Sequence, residues 1–349
     1  KYMTPVIFLS DGGIGNAAVV VDPANPLLAT AKNHSRGALV GPFQALAAAP
    51  AMPAVEDVAK LKKWDPAHRM QACVLDLLGG LHVAQDAINA EQMNVGFVDL
   101  AAPAAAVPVA RLVRPTAAIF QQQLSLVANY AELREDRAAE ILAQMPNQHA
   151  FWGSIIGLND NRHKNTLELI ALAMLLANSV EMRFKHAFAC LRPDDLSPQI
   201  QPMIPTPGHS SWPSGHATEM HLLVTVLKAV LPPAMVTPGM AAQFDRLAAR
   251  VAVNRTVAGV HFPVDSAVGR LLGVALGEFL IARCGSANPM HCRTFDGPSF
   301  SGPGGAVLDF DPRVSLDNGA PYYVRDAGSN AVAVSPLLQH IWSRAQGEW

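Results

Sequence analysis

Three short strings of this sequence, far apart along the chain, carry the side chains best suited to chemistry. They are KHAFACLRP at 185–193, PSGH at 213–216 and RTVAGVHFPVD at 255–265. Together they supply three cations, a hydroxyl group, a glycine amide, two imidazoles and a carboxylate, which can hold a tetrahedral oxyanion and move protons around it. The sequence therefore predicts one oxyanion site. Its members are Lys185, Arg192, Ser214, Gly215, His216, Arg255, His261 and Asp265.

The first string places two cations on one predicted helix. Lys185 and Arg192 are seven residues apart, which is two helical turns, so both side chains are expected on the same helix face. Apolar neighbours such as Phe184, Phe188 and Leu191 predict that this face is buried. Buried cations need an anionic or strongly polar partner, and a tetrahedral oxyanion would provide one.

The second string predicts an anion-binding helix end. It should turn into a helix that begins near Ala217, which places the Ser214 hydroxyl and the Gly215 amide at a helix N-terminus. Taken alone, Ser-Gly-His most often marks a helix cap. Because the other two strings occur in the same sequence, we interpret this one as an anion-binding helix end instead.

The third string predicts an oriented imidazole. Pro263 makes a regular helix between His261 and Asp265 doubtful, so we expect a turn that brings the carboxylate to the imidazole. The carboxylate would keep one ring nitrogen protonated and leave the other free as a nucleophile or ligand.

The three strings resemble the signature of the type 2 phosphatidic acid phosphatase (PAP2) and vanadium-dependent haloperoxidase superfamily, which reads K-x6-RP, PSGH and SR-x5-H-x3-D. The sequence departs from it at Asn254, where the family shows Ser. The resemblance covers residues 185–265, under a quarter of the chain. It implies a fold of two packed groups of antiparallel helices.

The resemblance also implies roles for the residues. The counterpart of His261 bonds to phosphorus or vanadium, and the counterpart of His216 exchanges a proton with the apical oxygen. The three cations of the predicted site then neutralise the equatorial oxygens.

The same set of groups serves two chemistries. In a haloperoxidase, vanadate bound to His261 activates hydrogen peroxide, which oxidises a halide, with bromide favoured; in a phosphatase, a phosphate ester reacts through a phosphohistidine. We favour the haloperoxidase interpretation because the N-terminal half is long, no run suits a membrane, and His209 stands five residues before Ser214, as in bromoperoxidase-like members. Trp212 and Phe262 are candidates for the pocket wall. A non-catalytic phosphate- or vanadate-binding protein is the third alternative.

Composition narrows the class of protein. Half of the 349 residues are hydrophobic and the net charge is −2, with no basic stripe, so nothing indicates a nucleic-acid partner. The apolar runs at 169–180 and 271–282 are shorter than the ~20 residues of a membrane span, which predicts a soluble chain without a membrane partner. Cys284 and Cys292 are close enough to form a local disulfide, which remains open. A homo-oligomer is compatible with the sequence, and the compartment, whether periplasmic, secreted or cytoplasmic, is open.

The periodic spacing of apolar residues predicts the helices that position the site. Helices are predicted at 55–63, 67–89, 115–143, 166–189, 217–230, 241–257 and 266–283, with one more at 336–349. Irregular covering segments are expected at 1–53 and 101–115, and a short hairpin at 322–324. The predicted fold class is all-α, a helical bundle of two packed antiparallel helix groups with long loops. We expect one compact unit made of an N-terminal helical half (1–150), a bundle that bears the strings (151–285) and a loop-rich C-terminal wrap (286–349).

Overall fold

Helices form most of the regular structure. The computed structural model describes residues 26–44, 51–103, 105–145 and 149–349. The helices are α1 (Pro26–Leu39), α2 (Pro66–Leu78), α3 (Ala117–Tyr130), α4 (Arg134–Ala143), α5 (His149–Ile156), α6 (Lys164–Phe188), α7 (Pro193–Leu196), α8 (Gly215–Val230), α9 (Pro238–Val257), α10 (Pro263–Arg283) and α11 (Pro336–Gln346).

Helices α8, α9 and α11 begin at side-chain caps. The hydroxyl oxygens of Ser214, Thr237 and Ser335 accept hydrogen bonds from backbone amides in the first turns of α8, α9 and α11. Such caps satisfy backbone donors that have no partner inside the helix. The helices predicted at 166–189, 217–230, 241–257 and 266–283 are confirmed as α6, α8, α9 and α10, and the last predicted helix is α11.

A stripe of glycines lets α10 lie very close to α8. A methyl group at Gly269 would lie 2.7 Å from the Cβ of Ala217, and one at Gly273 would lie 2.3 Å from the carbonyl oxygen of Thr218. No residue with a side chain fits at such distances. Because Gly269 and Gly273 are four residues apart, they lie on the same face of α10 and let that face contact α8 closely. The N-terminus of α8 therefore lies beside the N-terminus of α10, where two of the strings meet.

The all-α prediction is wrong, because the fold contains a five-stranded mixed sheet. Its strands, in spatial order, are β1 (Leu81–Gln85), β2 (Gln92–Phe97), β3 (Val107–Val113), β4 (Arg293–Asp296) and β5 (Tyr323–Arg325). Neighbours pair antiparallel except β3 and β4, which are parallel. The sheet thus joins residues from before and after the helices that carry the site.

Particular local features produced this error. The helix predicted at 67–89 ends at Leu78, because Gly80 has a positive φ of 83° and packs against the backbone of Val98. The segment predicted as irregular at 101–115 holds β3. The predicted hairpin near 322–324 is instead β5, which pairs with β4.

The N-terminal predictions were also partly wrong. Helix α1 occupies residues predicted as irregular, whereas 1–25 and 45–50 lie outside the described residues. The helix predicted at 55–63 shrinks to the 3-10 turn Leu61–Lys63, and the one at 115–143 divides into α3 and α4. In the part of the chain that is described, every helix is too short or too polar to cross a lipid bilayer. The predicted division at residues 150 and 285 stays a prediction.

Candidate oxyanion site

The ends of several helices bring the three strings together. Lys185 lies in the last turn of α6, Arg192 precedes α7, Ser214 caps α8, Arg255 lies in the last turn of α9 and His261 precedes α10. Each of these five side chains is buried. Helix ends leave backbone donors and acceptors unpaired inside the helix, so a junction of several ends is a natural place for a polar site.

A carboxylate that accepts three hydrogen bonds orients the imidazole of His261. Asp265 Oδ2 lies 2.8 Å from His261 Nδ1 and 3.0 Å from the backbone nitrogen of Phe262, and it also accepts a hydrogen bond from the Ser211 hydroxyl. Asp265 is the third residue of α10, so the same carboxylate caps that helix. This is the turn that Pro263 predicted.

Arg192 decides which nitrogen of His261 is free. Its Nη1 lies 3.2 Å from His261 Nε2, and a guanidinium only donates, so Nε2 accepts and Nδ1 carries the proton given to Asp265. Burial, and then the charges of Arg192 and Lys185, hold the pKa of His261 well below its usual range. Burial also raises the pKa of Asp265 to about 6, against the effect of its hydrogen bonds. The ring is therefore neutral and keeps a lone pair at Nε2.

Lys185 holds the loop before α8. Its Nζ donates to the carbonyl oxygens of Ser210 (3.1 Å), Ser211 (3.1 Å) and Pro213 (2.5 Å). Burial lowers the pKa of Lys185 to about 8. The three donors of the ammonium group all go to backbone in this structure, so Lys185 positions the residues that precede Ser214.

Arg192 is not on the helix of Lys185, which corrects the prediction of a shared helix face. Helix α6 ends at Phe188, because Ala189 adopts a left-handed conformation with φ of 48°. The Arg192 guanidinium donates to the carbonyl oxygens of His209 (3.0 Å) and Val260 (2.7 Å), in addition to His261. It therefore ties the loop before α8 to the loop before α10.

Arg255 and His216 keep donors and acceptors that the protein does not use. Arg255 Nη2 donates to Ile141 and Gln144, but its Nε and Nη1 are buried and have no partner among the described residues; the same holds for His216 Nε2. Burial, and then the nearby charge of Arg255, hold the pKa of His216 well below its usual range. Because buried polar atoms in folded proteins nearly always have partners, this side of the site is suited to a polar ligand.

Sequence reasoning missed two residues that support the site. Gln144 Oε1 accepts hydrogen bonds from Asn254 (2.9 Å) and Arg255 (3.2 Å), and Ser211 donates to Asp265. Gln144 is 110 residues away from Asn254 in sequence, and no spacing rule connects them. Asn254, where the signature has Ser, also accepts a hydrogen bond from Arg137 at 3.2 Å.

The three residues predicted for the pocket have different surroundings. His209 is partly buried and its Nδ1 lies 3.1 Å from Arg192 Nη2; burial lowers the pKa of His209 to about 4. Trp212 packs edge-on against Phe188, and Phe262 packs against Phe120. Both Trp212 and Phe262 are completely buried, so they belong to the core beneath the site.

The cysteines form no disulfide. All four are buried free thiols, which answers the question that the sequence left open for Cys284 and Cys292. Burial raises the pKa of Cys190 to about 11, so this thiol, although inside the first string, stays protonated and inert at neutral pH.

A known family matches the part of the chain that holds the three strings. Residues 166–286 match the model of the PAP2 superfamily, a range that contains the strings completely. Among solved structures, the chain is similar to a transmembrane PAP2-type phosphatidylglycerolphosphate phosphatase from Bacillus subtilis, with 18% identity over 48% of this chain and 85% of that chain and a TM-score of 0.38. No curated protein matches the chain.

Proposed function

We propose that this chain, whose residues 166–286 match the model of the PAP2 superfamily, is a phosphatase that hydrolyses a phosphate monoester through a phosphohistidine at His261. The state of that imidazole carries the proposal, since Nε2 accepts from Arg192 while Nδ1 donates to Asp265. A lone pair held in one direction beside a guanidinium suits attack on a phosphoryl group.

In the first step, the Nε2 lone pair of His261 forms a bond to phosphorus and the bond from phosphorus to the ester oxygen breaks. The neutral His216 imidazole takes up the proton that a monoanionic ester brings and gives it to the departing oxygen, so that an alcohol leaves. Arg255 offers its unpaired Nε–H and Nη1–H to the phosphoryl oxygens, and the start of α8 offers the Gly215 amide.

In the second step, a water molecule attacks phosphorus and gives a proton to His216, while the bond between Nε2 and phosphorus breaks. His216 passes that proton to the departing phosphate, which leaves as a monoanion, so both His216 and His261 return to their neutral forms. Asp265 keeps its hydrogen bond to Nδ1–H in both steps, which stabilises the positive charge on the phosphorylated ring.

Hydrolysis of p-nitrophenyl phosphate by the purified protein tests this proposal. His261→Ala should abolish hydrolysis, whereas His186→Ala, at an exposed position of α6, should leave it unchanged. Acid-labile, alkali-stable phosphate should be trapped on the unmodified protein and not on His261→Ala. Hydrolysis that survives in His261→Ala would overturn the proposal.

A vanadium-dependent haloperoxidase is the second candidate, and the contact between His209 and Arg192 favours it. The donor set fits vanadate, because His261 offers one unprotonated nitrogen and Arg255 offers two unpaired N–H groups within a buried site. Bound vanadate would supply the activation of hydrogen peroxide for halide oxidation. The protein's own residues would hold the anion and its protons as they hold phosphate.

Bromination of a phenol-type indicator distinguishes the two candidates. Protein incubated with orthovanadate, hydrogen peroxide and bromide should leave the indicator unbrominated if the chain is a phosphatase, while vanadate inhibits ester hydrolysis. Bromination that His261→Ala abolishes would favour the haloperoxidase. If the protein bound phosphate but catalysed neither reaction, the third alternative, a non-catalytic binding protein, would be favoured.

A further inference from the structure

We propose that Glu181 is a further residue of the oxyanion site, and that its carboxyl group binds the oxyanion as a protonated acid that donates a hydrogen bond. The inference rests on the proposed function and deepens it, because it makes binding of the phosphate group depend on a proton. Glu181 belongs to none of the three strings, and folding alone brings it to them.

The carboxyl group of Glu181 packs against the first residue of α8. Glu181 lies one turn before Lys185 on α6, and a methyl group built on Gly215 would lie 2.6 Å from Glu181 Oε1 and 3.1 Å from Oε2. Glu181 is 3% exposed, and its Oε2 has no hydrogen-bond partner within the described ranges. It thus adds a further unpaired polar group to those of Arg255 and His216 around the start of α8.

The charges that face Glu181 come from three elements. Burial, and then the negative charge of Glu219 on α8, raise the pKa of Glu181 well above its usual range. Lys185 on the same helix and Arg192 at the start of α7 act in the opposite direction. Lys185 directs its hydrogen bonds to backbone carbonyls, and Arg192 directs its own to backbone carbonyls and to the rings of His209 and His261. Neither cation therefore makes a hydrogen bond to the carboxyl group of Glu181.

More distant charges act on these neighbours. Arg255 of α9 interacts with Glu219, and Asp265 of α10 interacts with Lys185. The charges of this network include both signs, so the protonation of Glu181 is set mainly by burial.

Protonation decides whether Glu181 attracts or repels an oxyanion. A carboxylate has only acceptor atoms and a negative charge, whereas a carboxylic acid can donate its proton to an anionic oxygen. Binding should therefore be strong below the raised pKa of Glu181 and should weaken as the pH rises through it. Glutamine keeps the shape and a donor but cannot ionise, so Glu181→Gln should lose this pH dependence.

Sulfate is the probe for this experiment, because it is a tetrahedral dianion that neither titrates in the working range nor is hydrolysed. Titration calorimetry between about pH 5 and 9 should compare the unmodified protein with Glu181→Gln and with Glu132→Gln, an exposed control. Above the pKa of Glu181, the affinity of the unmodified protein should fall roughly tenfold per pH unit relative to Glu181→Gln. The control should follow the unmodified protein.

Two outcomes of the titration would overturn the proposal. One is a pH profile that Glu181→Gln leaves unchanged. The other is a profile that Glu219→Gln flattens while Glu181→Gln does not, since the proton would then belong to Glu219. The phosphatase proposal can fail separately: proton-linked sulfate binding without hydrolysis of p-nitrophenyl phosphate would refute it and leave Glu181 in place.

Infrared spectroscopy of the unmodified protein tests the proposal even if Glu181→Gln does not fold. A protonated carboxyl group absorbs at a C=O stretching frequency that carboxylates lack, and a hydrogen bond to sulfate should shift that band. A difference spectrum in which no carboxylic acid band responds to sulfate would overturn the proposal.

Discussion

The two sides of the oxyanion site differ in how far the protein satisfies its own polar groups. On one side, Lys185 and Arg192 donate to backbone carbonyls and Asp265 Oδ2 accepts three hydrogen bonds. On the other side, Arg255 and His216 hold buried nitrogens without partners in the described part of the chain. Among the described residues, folding supplies partners for the first side except at Asp265 Oδ1, while the second side gains its partners from a ligand.

This difference predicts two kinds of variant. Loss of a group on the satisfied side should leave buried partners unpaired and lower the free energy of unfolding. Loss of a group on the unsatisfied side should weaken oxyanion binding and leave the free energy of unfolding nearly unchanged. Asp265 belongs to the satisfied side and also orients His261, so a change there should lower turnover as well.

Asp265→Asn should have the largest effect. An amide can donate to His261 Nδ1, which would place the ring proton on Nε2 and remove the lone pair that attacks phosphorus. We expect kcat for p-nitrophenyl phosphate to fall by about 10³-fold or more. Sulfate affinity should stay within a few-fold of the unmodified protein's. Asp160→Asn, at an exposed position, is the control, and an unchanged kcat in Asp265→Asn would remove the orienting role.

Lys185→Met should be the most destabilising change on the satisfied side. It leaves three carbonyl groups without their donor, two of them in buried contacts, and we expect the free energy of unfolding to fall by about 3–5 kcal/mol. Denaturant unfolding measures this value. Arg183→Met, at an exposed position of the same helix, should change it by less than about 0.5 kcal/mol. If Lys185→Met kept its stability but lost sulfate binding, the ammonium group would belong to the ligand side.

Arg255→Gln should show the opposite pattern. It removes the two unpaired N–H groups, so sulfate affinity should fall by about 100-fold, a charge-assisted contribution of roughly 2–3 kcal/mol. The free energy of unfolding should change by no more than about 1 kcal/mol, because few internal hydrogen bonds are lost. Titration calorimetry and denaturant unfolding test the pair of expectations, with Arg246→Gln on the same helix as the exposed control. If the free energy of unfolding fell as much in Arg255→Gln as in Lys185→Met, the two sides of the site would not differ in the way proposed.

The long helices could be predicted from sequence because their pattern is local. Helices α6, α8, α9 and α10 have 16 to 25 residues each, enough for several repeats of the apolar spacing. The three strings lie at or near the ends of these helices, which is why the gathering of their side chains could also be predicted.

The missed features depend on contacts between distant residues. Strands β4 and β5 have four and three residues, too few for an alternating pattern, and β4 finds its parallel partner β3 far away in sequence. Periodicity also assumed that the helix of Lys185 continues to Arg192, although Ala189 interrupts it. No sequence spacing could point to Glu181, because the residue it packs against, Gly215, belongs to another helix.

Asn254→Ser, which introduces the residue of the family signature, should have the smallest effect. Serine cannot reach both Gln144 and Arg137 as asparagine does, so Gln144 would hold Arg255 less firmly. One neutral hydrogen bond contributes about 1 kcal/mol, so sulfate affinity should fall by no more than about fivefold. Titration calorimetry of Asn254→Ser and Asn254→Ala measures it. If serine bound sulfate more tightly than asparagine does, its hydroxyl would contact the oxyanion directly, and position 254 would join Arg255 on the unsatisfied side of the site.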